Sequence, residues 1–260
     1  MIIRSEKERA GVIESGRRLG VVLEEVAKAV RPGVSTAELD ALAERLIREG
    51  GDTPAFLDYK PERSGRAYPA TLCVSVNDEV VHGLPNESPR TLQEGDIVAL
   101  DLGLSHQNFI SDSAITVPVG RIDEESQRLM EVTRAALEAA ILVALPGARV
   151  GDISHAIESS YQGTGFSVVQ ELGGHGVGGA VHEEPWIANA GHPGTGPELV
   201  AGMVLAIEPI GNAGKAAVML AKDQWTYKTR DGSRSAHFEH TIIIEEGGAL
   251  VTTRRPSEKA

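Results

Sequence analysis

The chain has 260 residues, 41% of them hydrophobic and 24% charged, ordinary globular proportions that exclude disorder and fibrous repeats. Its formal charge of −12 argues against nucleic acid as a main ligand, because phosphate binding normally needs a basic patch. The single cysteine, Cys73, excludes an intramolecular disulfide, and neither a signal-like N-terminus nor an apolar run of bilayer length is present, so no membrane partner and a cytoplasmic location are expected.

The first predicted element is a helix. Ser5 and Glu8 have capping-box spacing, and Val12, Leu19, Val22, Leu23, Val26 and Val30 recur at helical intervals before Pro32-Gly33. A second helix opens at Ser35 and Glu38, carries Leu39, Leu42, Leu46 and Ile47 on one face, and stops at Gly50-Gly51. Residues 72–76, 97–104 and 115–119 are apolar, β-branched runs bounded by turn formers, which predicts strands. The helical pattern then recurs: Leu129, Val132, Leu137, Ile141 and Leu145 precede Pro146-Gly147, and Ile153, Ala156 and Ile157 precede Gly163. A shift of 114 positions lays Leu23-Glu24 on Leu137-Glu138, Pro32-Gly33 on Pro146-Gly147 and Leu39 on Ile153. That period is too long for a solenoid. It indicates one catalytic domain, 1–260, built from two related halves at roughly 5–120 and 121–250. Further strands are predicted at 202–207 and 241–245, and the grouping of helices and strands in blocks predicts an α+β fold.

Four acids stand inside apolar runs. Asp101 follows Ile97-Val98-Ala99-Leu100, where burial of an unpaired carboxylate would cost several kcal/mol. Asp112 lies eleven residues on, between Ile110 and Ile115, consistent with an adjacent strand. Glu208 ends Met203-Val204-Leu205-Ala206-Ile207, and Glu239 sits between Phe238 and His240-Thr241-Ile242. A single such acid is usually an ion-paired strand end, but these runs hold no basic residue to neutralise four of them, and divalent cations would. The segment Gly173-Gly174-His175-Gly176-Val177-Gly178-Gly179-Ala180-Val181-His182 supplies imidazoles on a glycine-rich backbone that can fold closely around a site. Gly174, Gly176 and Gly179 also fit G-x-G-x-x-G, but Pro185 follows too soon for that segment to open a dinucleotide-binding helix. One imidazole and four carboxylates suit two ions with bridging ligands, and with a bridging hydroxide the set carries a single net negative charge.

These residues resemble a known family. Ser75-Val76-Asn77-Asp78-Glu79-Val80-Val81-His82-Gly83-Leu84-Pro85, Asp101 and Asp112 with their spacing, Gly174-His175-Gly176 through Pro185, Ile207-Glu208-Pro209 and Ser235-Ala236-His237-Phe238-Glu239-His240-Thr241 are similar to the short bacterial, type I form of methionine aminopeptidase. The resemblance implies the pita-bread fold, two pseudo-symmetric αβ halves around a curved antiparallel sheet. It implies removal of the initiator methionine by a hydroxide between two divalent ions (Mn, Fe, Co or Zn): Asp101 on one, His175 and Glu208 on the other, Asp112 and Glu239 bridging. It also makes His182 the stabiliser of the developing oxyanion, His82 a hydrogen-bonding partner near the scissile amide, Glu208 the proton carrier, and Asn77 and Ser235 a monovalent-cation site. The methionine pocket would be drawn from Tyr59, Tyr68, Cys73, Val181 and Trp225. Val181 departs from the bulkier aromatic common there, and the 60–67 segment is longer than in the enterobacterial form. The implied partners are nascent polypeptides with a small second residue, and the ribosome, for a monomeric enzyme. Proline-specific aminopeptidases and prolidases use a similar metal set but carry a large extra N-terminal domain. Type II enzymes carry a long insertion where only 30 residues separate Glu208 from Glu239. A non-catalytic peptide-binding relative would be expected to have lost ligands that are all present here.

Overall fold

In a computed structural model, which describes residues 1–61 and 66–258, the four predicted helices form: α1 Glu6–Ala29, α2 Thr36–Glu49, α3 Glu124–Val143 and α4 Val150–Tyr161. Side-chain caps from Ser5, Ser35 and Asp123 open α1, α2 and α3, while Arg149 ahead of α4 makes no such bond. Ser35 and Glu38 make a complete capping box on α2. On α1 the box is only half made: Ser5 accepts from the Glu8 amide, while the Glu8 carboxylate accepts from Arg4 N–H rather than from Ser5. Prolines set two of the ends. α1 stops at Ala29 and α3 at Val143, each three residues ahead of its proline, so Leu145, expected on the apolar helical face, lies outside α3 and is 45% exposed.

Each helical pair covers a sheet. Under α1 and α2, strand Ile97–His106 pairs antiparallel with Leu72–Val76 and Thr53–Pro54 along one edge and with Phe109–Pro118 along the other. Leu19, Leu23, Leu39, Ile47, Leu72, Leu100 and Leu102 form the core between them. Under α3 and α4 lies a five-stranded antiparallel sheet in the order Gly248–Val251, His240–Glu245, Val204–Ile207, Gly173–Gly176, Glu183–Ala188. Its core contains Leu129, Leu137, Ile153, Ile157, Leu205, Ile207 and Ile242. The glycine-rich segment that mimics a dinucleotide fingerprint enters this sheet as a strand and opens no helix.

The predicted strand 115–119 begins earlier, at Phe109. Its first half escaped the apolar pattern because Ser111, Asp112 and Ser113 are polar, yet all three are buried. The Asp112 main chain and the Ser113 hydroxyl are bonded to the second half of the chain, while the Ser111 hydroxyl is left without a partner. Asp112 N–H donates to the Thr241 hydroxyl, that hydroxyl donates to the Asp112 carbonyl, and the Ser113 hydroxyl donates to the Glu239 carbonyl. Thr116 and His237 bond in the same way. This seam joins the two sheets. The 60–67 segment lies partly outside the described residues.

Candidate metal centre

The seam decides where the acids meet. Asp101 pairs with Ala114 and Gly103 with Asp112, so the two aspartates are diagonal neighbours on one face of adjacent strands. In the second sheet His175 pairs with Ala206 and His240 with Ile207; Glu208 and Glu239 are the next residues beyond that last pair. The Glu239 amide donates to the Ala114 carbonyl at 2.9 Å, bringing the second set of ligands to the first.

Asp112, His175 and Glu239 each offer one atom to a group lying within 4.8 Å of one another, and all three are buried. His175 Nε2 is 3.7 Å from Glu208 Oε1 and 4.0 Å from Asp112 Oδ2. Its Nδ1 lies 2.8 Å from the Gly176 carbonyl, which can only accept, so Nδ1 carries the proton and Nε2 turns a lone pair toward the carboxylates. Asp101 Oδ1, Asp112 Oδ1 and Glu239 Oε1 are buried without any hydrogen-bond partner. Burial raises Asp101 to about 6 despite the opposing pull of His237. Burial and then the charge of Asp101 push Asp112 well up, and burial with Asp112 and Glu208 does the same to Glu239. Glu208 alone is held below its ordinary value, because His237 and His175 outweigh its desolvation. A nest of buried acids with bare oxygens and an aimed imidazole fits divalent cations, which would satisfy those oxygens and allow all four acids to ionise.

A cavity of about 100 Å³ opens from this cluster. Its wall includes Tyr59, Tyr68, Cys73, Val181 and Trp225, with His82 and His182 beside the acids. The volume matches one side chain rather than a drug-sized ligand. Tyr68 packs edge-on against Trp225 and donates to the Gly83 carbonyl at 2.9 Å. Desolvation lowers His82 to about 4, and the same cause lowers His182 although its ring reaches the cavity mouth, so both imidazoles are neutral near pH 7. Three features were not legible. Phe56 completes the apolar wall, Tyr59 Oη lies 2.7 Å from His182 Nδ1, and His237 is buried with its Nε2 3.3 Å from Glu208 Oε2. Asn77 and Ser235 are neighbours through Ser235 N–H donating to the Asn77 carbonyl. The Asn77 side chain is engaged by Asp96 and the Ile97 amide, and the Ser235 hydroxyl by the Gly211 carbonyl.

A family model described as metallopeptidase family M24 matches residues 10–246, and the chain belongs to that family. Within it, methionine aminopeptidase 1 of Bacillus subtilis is 45% identical over 98% of this chain and 100% of its own length. The crystal structure of methionine aminopeptidase from Thermotoga maritima superposes with a TM-score of 0.92 at 42% identity, covering 98% of this chain and 100% of that one. The prolidase of Pyrococcus horikoshii shares the fold, with a TM-score of 0.76 at 23% identity, but this chain covers only 65% of it. The fold is the pita-bread α+β architecture.

Proposed function

We infer that this metallopeptidase hydrolyses the peptide bond after an N-terminal methionine, in peptides and in nascent chains whose second residue is small. The observation that carries the reading is a side-chain-sized apolar cavity ending on a cluster of four acids, three of them buried, and a buried imidazole. The near-full-length likeness to methionine aminopeptidases supports it. We propose that Asp101, Asp112, His175, Glu208 and Glu239 hold two divalent ions drawn from Mn, Fe, Co or Zn, a choice that oxygen-rich ligands leave to availability. Bound there, the ions supply water activation at neutral pH and polarisation of the scissile carbonyl.

The remaining steps belong to the chain. Phe56, Tyr68, Cys73, Val181 and Trp225 take the methionine thioether, a polarizable group that packs well on rings and sulfur. With Tyr59 donating to Nδ1, His182 carries its proton on Nε2 and gives a hydrogen bond to the carbonyl oxygen as negative charge develops there. His82, across the cavity, bonds the scissile amide and fixes its orientation. Glu208 takes the proton of the attacking water and returns it to the leaving amine. Asn77 and Ser235 are assigned a monovalent cation, and the two halves, 5–120 and 121–250, act as one catalytic domain. The enzyme is assigned to the cytoplasm as a monomer acting beside the ribosome, and no helix among the described residues is long and apolar enough to cross a membrane.

The test is hydrolysis of Met-Ala-Ser beside Leu-Ala-Ser, Ala-Ala-Ser and Ala-Pro-Ala by chelated protein reloaded in turn with Mn, Co, Fe and Zn. Metal-dependent release of methionine alone is expected. Preference for Ala-Pro-Ala would move the chain toward the prolidases, and no cleavage with any metal would make it a peptide-binding relative.

A further inference from the structure

His237 has no part in the reading above, yet it lies deeper than most of the residues that do. It is 1% exposed, on the short strand Ser235–His237, and neither ring nitrogen has a hydrogen-bond partner. Its Nε2 faces two of the acids, 3.3 Å from Glu208 Oε2 and 3.9 Å from Glu239 Oε2. The main chain fixes the ring there: His237 N–H donates to the Thr116 hydroxyl, which in turn donates to the His237 carbonyl.

Glu208 therefore stands between two imidazoles. Its Oε1 is 3.7 Å from His175 Nε2 and its Oε2 is 3.3 Å from His237 Nε2. The two rings differ in what they present. His175 has its Nδ1 proton committed to a carbonyl and offers a lone pair, whereas His237 has no acceptor at Nδ1 and is free to carry its proton on Nε2, facing Glu208. His175 Nε2 belongs to the compact group with Asp112 and Glu239, whereas His237 Nε2 faces the other oxygen of Glu208, on the side away from His175.

We propose that His237 is a positioning residue for the metal centre: its Nε2–H holds Glu208 Oε2, so that Oε1 is the oxygen turned to the ion shared with His175. This rests on the metal assignment made above. Such outer partners orient a ligating carboxylate, and their loss typically lowers metal affinity or activity about 10–100-fold. The 3.3 Å separation is within hydrogen-bond distance, although the two groups are not aligned as a formed bond.

The experiment compares wild type, His237→Leu and His237→Gln by Co(II) titration calorimetry on chelated protein, by the visible spectrum of the Co(II)-loaded forms, and by kcat and KM for Met-Ala-Ser. His237→Gln keeps an N–H donor at similar reach; His237→Leu keeps bulk and removes the donor. For His237→Leu, Co(II) affinity is expected to fall about 10–100-fold, with an altered visible spectrum and a lower kcat at nearly unchanged KM. His237→Gln should recover most of each. Wild-type Co(II) affinity and spectrum in His237→Leu would overturn the proposal, as would His237→Gln behaving no better than His237→Leu while both melt like wild type. If wild-type protein itself takes up no divalent ion, the metal assignment fails first and this proposal falls with it.

Discussion

Asp101 and His175 reach the cluster with opposite chemistry, a bare buried oxygen and an aimed lone pair, so their variants should separate binding from folding. Asp101→Asn removes one of four mutually repelling acids at constant shape. Turnover of Met-Ala-Ser should fall at least about a hundredfold, while the metal-free protein melts no lower than wild type. His175→Ala should lose activity similarly with its circular dichroism retained, and wild-type turnover in either variant would sink the ligand assignment. Outside the cavity wall, Glu258 makes a second residue-scale case. Burial opposes its ionisation, but His240 and Arg255 outweigh that and hold its carboxyl at about 2, below the ordinary 4.5. A depressed carboxyl stabilises the fold above the ordinary value and loses that contribution as pH falls through the folded one. Burial also lowers His240, which therefore gains its charge only on acidification, so the urea-midpoint gap between wild type and Glu258→Gln should be kept or grow from pH 8 to about 4 and then be lost as pH falls toward 2; a gap already gone at pH 4 would contradict the assignment. The five proposed ligands stand out in the sequence because each is a polar residue set in an apolar or glycine-rich run. His237 does not, because its approach to Glu208 depends on how strands from three sheets meet, which no local pattern encodes.

At the scale of elements, the helices were readable because 3.6-residue periodicity runs over 12 residues or more in each. The complete box on α2 and the half-made one on α1 show what spacing alone misses, since both sequences satisfy it equally. Strands of three or four residues such as Glu79–Val81 and Gly173–Gly176 are too short, or too rich in glycine, to show a period. The strand carrying Asp112 outruns its apolar pattern for a different reason: the Asp112 main chain and the Ser113 hydroxyl in its polar first half bond to the later part of the chain. Thr241 is the clearest member of that seam, accepting from the Asp112 amide and donating to the Asp112 carbonyl. Thr241→Val preserves shape and strips both partners, so it should cost about 2 kcal/mol in urea unfolding. By loosening Asp112 it should also weaken divalent-ion binding in calorimetry. A stability loss with unaltered ion binding would show that the strand alone, without this hydroxyl, holds the aspartate in place.

Taken whole, the molecule stores electrostatic repulsion at its centre, where acids from both halves are buried together. Any ion that binds the folded form and not the unfolded chain stabilises it by mass action, about 2.7 kcal/mol at a hundredfold excess over Kd. For a protein of this length that corresponds to a rise in Tm of roughly 5–10 °C. Chelation should lower the melting temperature by a comparable amount and Mn or Co should restore it, whereas Ca, which prefers larger all-oxygen sites, should restore less. Equal melting of chelated and reloaded protein would contradict a resident metal centre. The seam has a further consequence, one of timing. A growing chain acquires Asp101 and Asp112 early, but their partners His175, Glu208 and Glu239 belong to the later sequence, and the aspartates meet them only when 112–116 docks on 237–241. Until residue 239 has been made and folded back, no copy holds the complete set of proposed ligands. An enzyme that trims the front of new chains is thus kept idle while it is itself a new chain.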